Sequence, residues 1–263
     1  QEISWMMYDW ANSAHSVIVV TILPIFFDTV AGYTADSVSS MSTWGFATSL
    51  AMAIVALSAP FLGVFGDIRG MRKKLFTAFM LIGVVSVAGL SFTPFMDFTA
   101  SPDAAGRVAA IVLVLYITST IGFDASCIYY DAFLTDVTTE DRMDEVSSNG
   151  FAWGYLGSCI PFLIALIAYV LGPDMVGLIP ALLSRGIGVF VTAAWWVLMT
   201  VPMLKTYRQK NYVERKPHAF RESFARIGKT FLNVRKEKKI FLFLLAFFFY
   251  IDGVYTIIDM ATA

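Results

Sequence analysis

The chain has 263 residues, of which 57% are hydrophobic and only 15% are charged, and its mean hydropathy is +0.68. Soluble domains carry about 25% charged residues, so this composition excludes an ordinary soluble protein and indicates an all-α membrane protein that crosses the bilayer several times. The chain has only two histidines, which excludes a His-rich metal site, and we expect no metal and no cofactor.

Seven uncharged runs follow one another along the chain. A membrane-spanning helix needs roughly 20 predominantly apolar residues, and β-barrel strands would be shorter and alternating. We therefore predict seven transmembrane helices. The runs are Trp10–Phe27, Ser37–Gly66, Leu75–Met96, Val108–Phe123, Val146–Pro173, Gly186–Leu204 and Ile240–Ile251.

Two of these runs reach the required length only if the helix continues through a carboxylate. The fourth run must pass Asp124 to reach Tyr130, and the seventh must pass Asp252 to reach Met260. An acid inside a membrane helix is costly and usually marks a path for ions or solutes. The two aspartates are therefore the first candidates for functional residues.

The basic residues are strongly segregated between the two sides of the predicted bundle. All but two of the 19 lysines and arginines fall after the second, fourth and sixth runs, and the exceptions are Arg107 and Arg185. Basic loops stay on the cytoplasmic side. We predict a protein of the bacterial plasma membrane with a cytoplasmic N-terminus.

The residues between the sixth and seventh runs, 205–239, form the one candidate linker. Within it, apolar residues recur every three or four positions and basic residues lie between them, which favours an amphipathic helix on the anionic membrane surface over a solvated loop. The apolar positions are Phe220, Phe224, Ile227, Phe231 and Val234.

A motif follows the second run: Gly63, Asp67 four positions later, Gly70, and then Arg72. Gly63 and Gly70 suit close helix packing and a tight turn, and Asp67 can accept charge-assisted hydrogen bonds from Arg72. The spacing resembles the signature between helices 2 and 3 of the major facilitator superfamily, where this cluster closes the cytoplasmic gate. The resemblance implies a gate formed by Gly63, Asp67, Arg69, Gly70 and Arg72.

Four further blocks narrow the resemblance. They are Tyr8–Ala14, Tyr130–Leu134, Ser147–Gly157 and Tyr250–Ile258. Together they resemble the vacuole-effluxer-like branch of the superfamily, whose fungal member exports amino acids from the vacuole.

This resemblance implies twelve helices in two halves, each half built from inverted three-helix repeats. We expect the chain to be a fragment of such a transporter. Residues 1–204 would be the six-helix N-terminal bundle, 205–238 the basic linker, and 239–263 the start of helix 7. The expected partners are a small-molecule solute, the lipid bilayer and the C-terminal half of the same transporter, with no nucleic acid.

In this superfamily helices 1, 4, 7 and 10 line the central cavity, and the acids of this chain fall on the corresponding runs. Asp124 and Asp252 lie inside the predicted fourth and seventh helices, and Asp9 lies at the start of the first. The second, third, fifth and sixth runs contain no acid. An ionised carboxylate at that depth costs about 2.5–3.5 kcal/mol on insertion scales. We expect each of these acids to spend part of a transport cycle protonated.

The first helix carries a polar stripe at positions i, i+3, i+4 and i+7, formed by Asp9, Asn12, Ser13 and Ser16. Such a stripe suits a cavity wall and equally suits hydrogen bonding between helices. His15 lies slightly off the stripe and is a candidate proton relay, or else a satisfied polar contact. The candidates for substrate binding or proton coupling are Asp9, Asn12, His15, Asp124 and Asp252.

Asp131 shares a face of the fourth helix with Asp124, because seven residues make two turns. It lies nearer the cytoplasmic end, and we expect it to join the gate by pairing with Arg69 or Arg72. In the fifth helix, Gly150, Gly154 and Gly157 form a small-residue face, which predicts close helix packing.

The leading interpretation is a secondary transporter of a small solute. The chain has no phosphate-binding loop for ATP hydrolysis. One alternative is a membrane-embedded enzyme acting on lipid, although no nucleophile or metal-binding motif supports it. A second alternative is a seven-helix receptor or scaffold, whose N-terminus would normally lie outside the cell.

Overall fold

The computed structural model describes residues 1–34, 36–171, 181–214, 229, 233–234 and 236–260. Within them the chain forms seven α-helices. Their bounds are α1 Glu2–Ala31, α2 Ser37–Gly66, α3 Arg72–Leu90, α4 Pro102–Val137, α5 Met143–Leu171, α6 Ala181–Thr206 and α7 Lys238–Met260. Short 3-10 turns at Thr93–Phe95 and Glu140–Arg142 precede α4 and α5. The all-α prediction is confirmed.

Local sequence explains where two of the helices begin. Asp36 precedes α2 and accepts a hydrogen bond from the backbone N–H of Ser39 at 2.7 Å. Ser101 precedes α4, accepts from Ala104 N–H at 3.1 Å, and is followed by Pro102 at the first helical position. These are the residue types that satisfy the free N–H groups of a helix start.

The predicted spans match the helices in number, and α2 matches its run at both ends. Two differences are large: α1 begins eight residues before its run, at Glu2, and α4 continues seven residues past the predicted end at Tyr130, to Val137. Six helices, α1 to α6, are long and apolar enough to cross a membrane. The seventh span stays a prediction.

The helix pairings show an internal symmetry. Helix α1 packs extensively on α5 and α6, and helix α4 packs extensively on α2 and α3. The two sets correspond if helices α1, α2 and α3 are taken as equivalent to α4, α5 and α6. This is the pattern expected of two three-helix repeats. The symmetry is imperfect, because α5 packs broadly on α6 while α2 touches α3 only slightly.

The core lies around α1, which runs between α4, α5 and α6. Its interior is rich in aromatic side chains: Trp5 stacks on Tyr130 with ring centroids 4.4 Å apart, and Trp44 stacks on Tyr116 at 4.0 Å. By contrast α2 and α5 turn broad apolar faces outward, with Leu57 and Tyr155 about three-quarters exposed. Among the six helices α1 to α6, the symmetry-related α2 and α5 are therefore the two that leave most surface open.

The predicted amphipathic helix of the linker lies almost wholly outside the described residues. The described start of the linker, Tyr207–Glu214, is irregular backbone, with a single β-bridge between Ile68 and Val213. The division of the chain at residues 204 and 238 stays a prediction.

Candidate functional site: a buried ion cluster and a polar helix face

One end of the bundle gathers the segments that the charge pattern assigns to one side. Gln1 donates to the carbonyl of Thr206 at 3.1 Å, Arg142 pairs with Glu2 at 3.0 Å, and Arg69 pairs with Glu214 at 3.0 Å. The N-terminus, the α2–α3 connection, the α4–α5 connection and the chain after α6 thus share what we call the basic end. The common end agrees with the predicted topology, while the side of the membrane stays a prediction.

The gate loop, Asp67–Met71, connects α2 to α3 by a tight turn. Gly70 has a backbone φ of +73°, in the left-handed region that residues with a side chain rarely adopt. This conformation explains why the position is occupied by glycine. Gly63 has no neighbour within 4 Å of an added Cβ in the described part of the chain. The turn expected at Gly70 is confirmed, whereas the close approach expected at Gly63 is not made within this bundle.

Arg72 is the centre of the cluster below this loop. Its guanidinium donates to Asp67 Oδ1 at 2.9 Å, to Asp136 Oδ2 at 2.9 Å and to the carbonyl of Ala132 at 3.2 Å. The side chain of Arg72 is only 6% exposed and that of Asp136 is fully buried, while that of Asp67 is 61% exposed. The arginine therefore connects a surface carboxylate to a buried one.

Asp136 is held by four donors. Besides Arg72, Tyr207 Oη donates to Oδ2 at 2.6 Å, and the backbone N–H groups of Lys210 and Asn211 donate to Oδ1 at 3.0 and 2.7 Å. Burial and the Asp136 carboxylate raise the pKa of the Tyr207 phenol, so this hydroxyl stays protonated and acts as a donor. Asp136 is a fully satisfied buried carboxylate.

Two expected gate contacts are corrected by this arrangement. Asp131 was expected to pair with Arg69 or Arg72, but among the described residues Arg69 pairs with Glu214, and Arg72 with Asp67 and Asp136. The physical reason is helix phase: five residues turn an α-helix by about 140° relative to the starting face. Asp131 is therefore exposed while Asp136 points into the bundle.

The polar stripe on α1 runs from the core to the surface of this half-bundle. Asp9 and Asn12 are buried, Ser13 is half-buried and Ser16 is exposed. Asn12 Nδ2 lies 3.8 Å from Cys127 Sγ on α4. Part of the stripe thus contributes to helix packing, and part of it faces outward.

Asp9 sits against two glycines of α5. A Cβ atom added at Gly150 would lie 3.2 Å from Asp9 Oδ2, and one added at Gly154 would lie 3.4 Å from Asp9 Cγ. The small-residue face expected on α5 is confirmed, with α1 as its partner. The two glycines leave room for a carboxylate that is nine-tenths buried.

His15 lies in the core. Its ring is stacked on Phe123 of α4 at 4.6 Å and lies 5.2 Å from Trp196 of α6, and its Nε2 is 3.4 Å from Ser119 Oγ. The structure thus gives His15 packing contacts on two helices, and a relay role stays a prediction.

Asp124 and Asp252 are placed differently. Asp124 is half-buried on the same face of α4 as Asp131, and Asp252 is exposed on α7. The structure brings Asn12 and Cys127 together between α1 and α4, places Asp9 against α5, and leaves Asp252 exposed.

The fold is that of a half-bundle of the major facilitator type. Its six helices form two pseudo-equivalent triplets, and an Asp–Arg–Asp cluster lies under the α2–α3 loop. A family model described as "Vacuole effluxer Atg22 like" matches residues 135–263. The chain is 40% identical, over its whole length, to the "Uncharacterized MFS-type transporter YxiO" of Bacillus subtilis strain 168. The chain is thus similar to major-facilitator-type proteins whose printed descriptions are those of an effluxer and a transporter, and not of an enzyme.

The chain spans 59% of the length of the Bacillus relative. A comparison with solved structures finds no significant match.

Proposed function

We propose that the full-length protein is a secondary transporter that moves a small solute, an amino acid or a related metabolite, by alternating access coupled to protons. The printed names of the family and of the Bacillus relative, an effluxer and a transporter, support solute movement. The resemblance to the vacuolar exporter supports an amino-acid-like solute.

One observation carries the proposal: within α1 to α6, the acids inside the apolar spans lie on α1 and α4. On α1, Asp9 is nine-tenths buried. On α4, Asp124 and Asp131 lie on the same face as Cys127, and Cys127 contacts Asn12 of α1. An ionised acid inside a membrane is costly and is tolerated where it has a function. A structural scaffold would gain little from acids in this position.

Protonation offers a way for these acids to drive a conformational cycle. A neutral carboxyl enters an apolar contact at much lower cost than a charged one. Proton binding from one side of the membrane would then favour closure of the two halves around the solute, and proton release on the other side would favour reopening. The ion cluster at the basic end serves as the gate in this proposal.

The receptor or scaffold alternative makes a different prediction. Such a protein would bind a ligand without moving it across the bilayer. The lipid-modifying enzyme loses its support, because the family and the relative are transporters.

The proposed function is tested by reconstituting the full-length protein in liposomes and measuring uptake of a panel of labelled amino acids, with and without a proton gradient. We expect at least one solute to accumulate only when the gradient is present. Uptake equal to that of protein-free liposomes for the whole panel counts against an amino-acid-like substrate, and ligand binding without uptake favours the receptor.

A further inference from the structure

The residues that follow α6 do not leave the bundle directly. Tyr207–Glu214, which we call the strap, passes beneath the end of α4 and then along the gate loop. Tyr207 is buried and stacks on Phe133 with ring centroids 3.7 Å apart. This ring contact fixes the first residue of the strap against α4.

The second part of the strap bonds to the backbone of the gate loop. Val213 N–H donates to the carbonyl of Asp67 at 2.7 Å, and Arg69 N–H donates to the carbonyl of Val213 at 3.2 Å. Arg69 also pairs with Glu214, and its guanidinium lies 5.0 Å from the ring centroid of Tyr212. The strap and the gate loop are therefore joined by backbone and side-chain contacts together.

Gln209 bridges the two ends of the tight turn. Its Nε2 donates to the carbonyl of Gly66, the last residue of α2, at 3.1 Å, and its Oε1 accepts from the N–H of Gly70 at 2.9 Å. One side-chain amide thus satisfies a free carbonyl at the end of α2 and the N–H of the glycine with positive φ. No other side chain in the described residues makes both contacts.

The strap and the ion cluster also meet at Asp136. This carboxylate accepts from Arg72 on one side and from the backbone of Lys210 and Asn211 on the other. The position of the strap and the orientation of Arg72 are therefore set by the same carboxylate.

We propose that the strap is the positioning element of the gate, and that Gln209 is the residue through which it holds the gate loop in the conformation that joins Asp67, Arg72 and Asp136. The strap is the first part of the linker that leads toward α7. Displacement of the linker is thereby transmitted to the gate loop. This inference rests on the proposed transport function for its consequence, while the positioning itself is measurable without transport.

The test compares two neighbouring substitutions in the full-length protein. Gln209→Ala removes both bonds to the turn. Lys210→Ala is the matched control, because the Lys210 side chain is exposed and its contact with Asp136 is made by the backbone N–H, which alanine keeps. Gln209→Glu retains only the acceptor for Gly70.

The first measurement is hydrogen exchange of the peptide that covers the gate loop. The loss of two hydrogen bonds predicts exchange faster by roughly tenfold in Gln209→Ala, with an intermediate effect in Gln209→Glu and no change in Lys210→Ala. Equal protection in Gln209→Ala and Lys210→Ala would overturn the proposal.

The second measurement is transport by the same variants. We expect Gln209→Ala to lower the maximal rate more than it changes KM, because the strap acts on a conformational step and not on the solute. Combined with Asp67→Asn, its effect should be less than additive, since both changes loosen one cluster. A faster-exchanging loop with an unaltered maximal rate would overturn the proposal that the strap acts on the gate, whereas wild-type protein without transport would reject the proposed function and leave the exchange result standing.

Discussion

At the scale of single residues, the two carboxylates that hold Arg72 differ in burial, and their removal should have different consequences. Asp136 is fully buried, so Asp136→Asn leaves Arg72 without its buried counter-charge, and the loss of one partner of a buried pair costs about 3–5 kcal/mol. Asp67 is 61% exposed, and exposed pairs contribute about 0–1 kcal/mol. We expect thermal unfolding of the purified protein to show a large loss for Asp136→Asn and almost none for Asp67→Asn.

The same pair separates stability from gating. We expect Asp67→Asn to fold and insert normally but to transport more slowly, because the gate loop loses its ion pair with Arg72. Equal melting temperatures for the two variants would contradict the burial argument. Unchanged uptake kinetics in Asp67→Asn would count against a gate at this loop.

Proton coupling is also a property of single residues. Asn at Asp9, Asp124 or Asp252 removes the titratable group with little change in size, so we expect gradient-driven accumulation to be lost while solute exchange continues. Asp103→Asn is the control, because Asp103 is exposed in the first turn of α4, away from the apolar centre. If all three variants still accumulate solute against its gradient, these acids are structural.

At the scale of helices, the contact between α1 and α5 depends on the absence of side chains. A Cβ at Gly154 would lie 2.9 Å from Ser13 Oγ and 3.4 Å from the carbonyl oxygen of Asp9, so Gly154→Ala must turn the Ser13 side chain away or separate the two helices, and overpacking costs typically about 1–3 kcal/mol. Gly106→Ala on α4 is the control, since it meets nothing within 4 Å in the described chain. A lower melting temperature for Gly154→Ala alone is the expected result, and equal melting of both variants would contradict the close packing.

Helices and turns were predictable from local signals, and the ion cluster only in part. Long apolar runs define α1 to α6, and the spacing of Gly70 after Asp67 predicts the turn. Asp136 was missed because the fourth helix was predicted to end at Tyr130, which made Asp131 the acid nearest its cytoplasmic end. The orientation of Asp136 becomes clear only once α4 is known to reach Val137. The strap was missed because its bonds to α4 and to the gate loop join residues far apart in the chain, 71 positions from Tyr207 to Asp136 and 139 from Gln209 to Gly70, and no local pattern encodes them.

At the scale of the whole molecule, the topology follows from the distribution of charge. We expect single cysteines in the loop of Arg69–Lys74 or in residues 205–239 to resist impermeant thiol reagents added outside intact cells, and a cysteine at Ser101 to react. Ser101 precedes α4 at the end of the bundle opposite the gate loop. Labelling of the basic loops from outside would reverse the orientation.

Alternating access can be tested at the middle of the polar stripe of α1, by measuring from which side of the membrane a residue there is accessible. Ser16 is exposed on this half-bundle and lies halfway along α1, so in the proposed transporter it faces the cavity near the middle of the membrane. The measurement is the rate at which an impermeant thiol reagent, applied separately to each side of oriented vesicles, labels Ser16→Cys in a full-length protein free of other cysteines. We expect labelling from both sides; labelling from one side only, or from neither, would contradict alternating access.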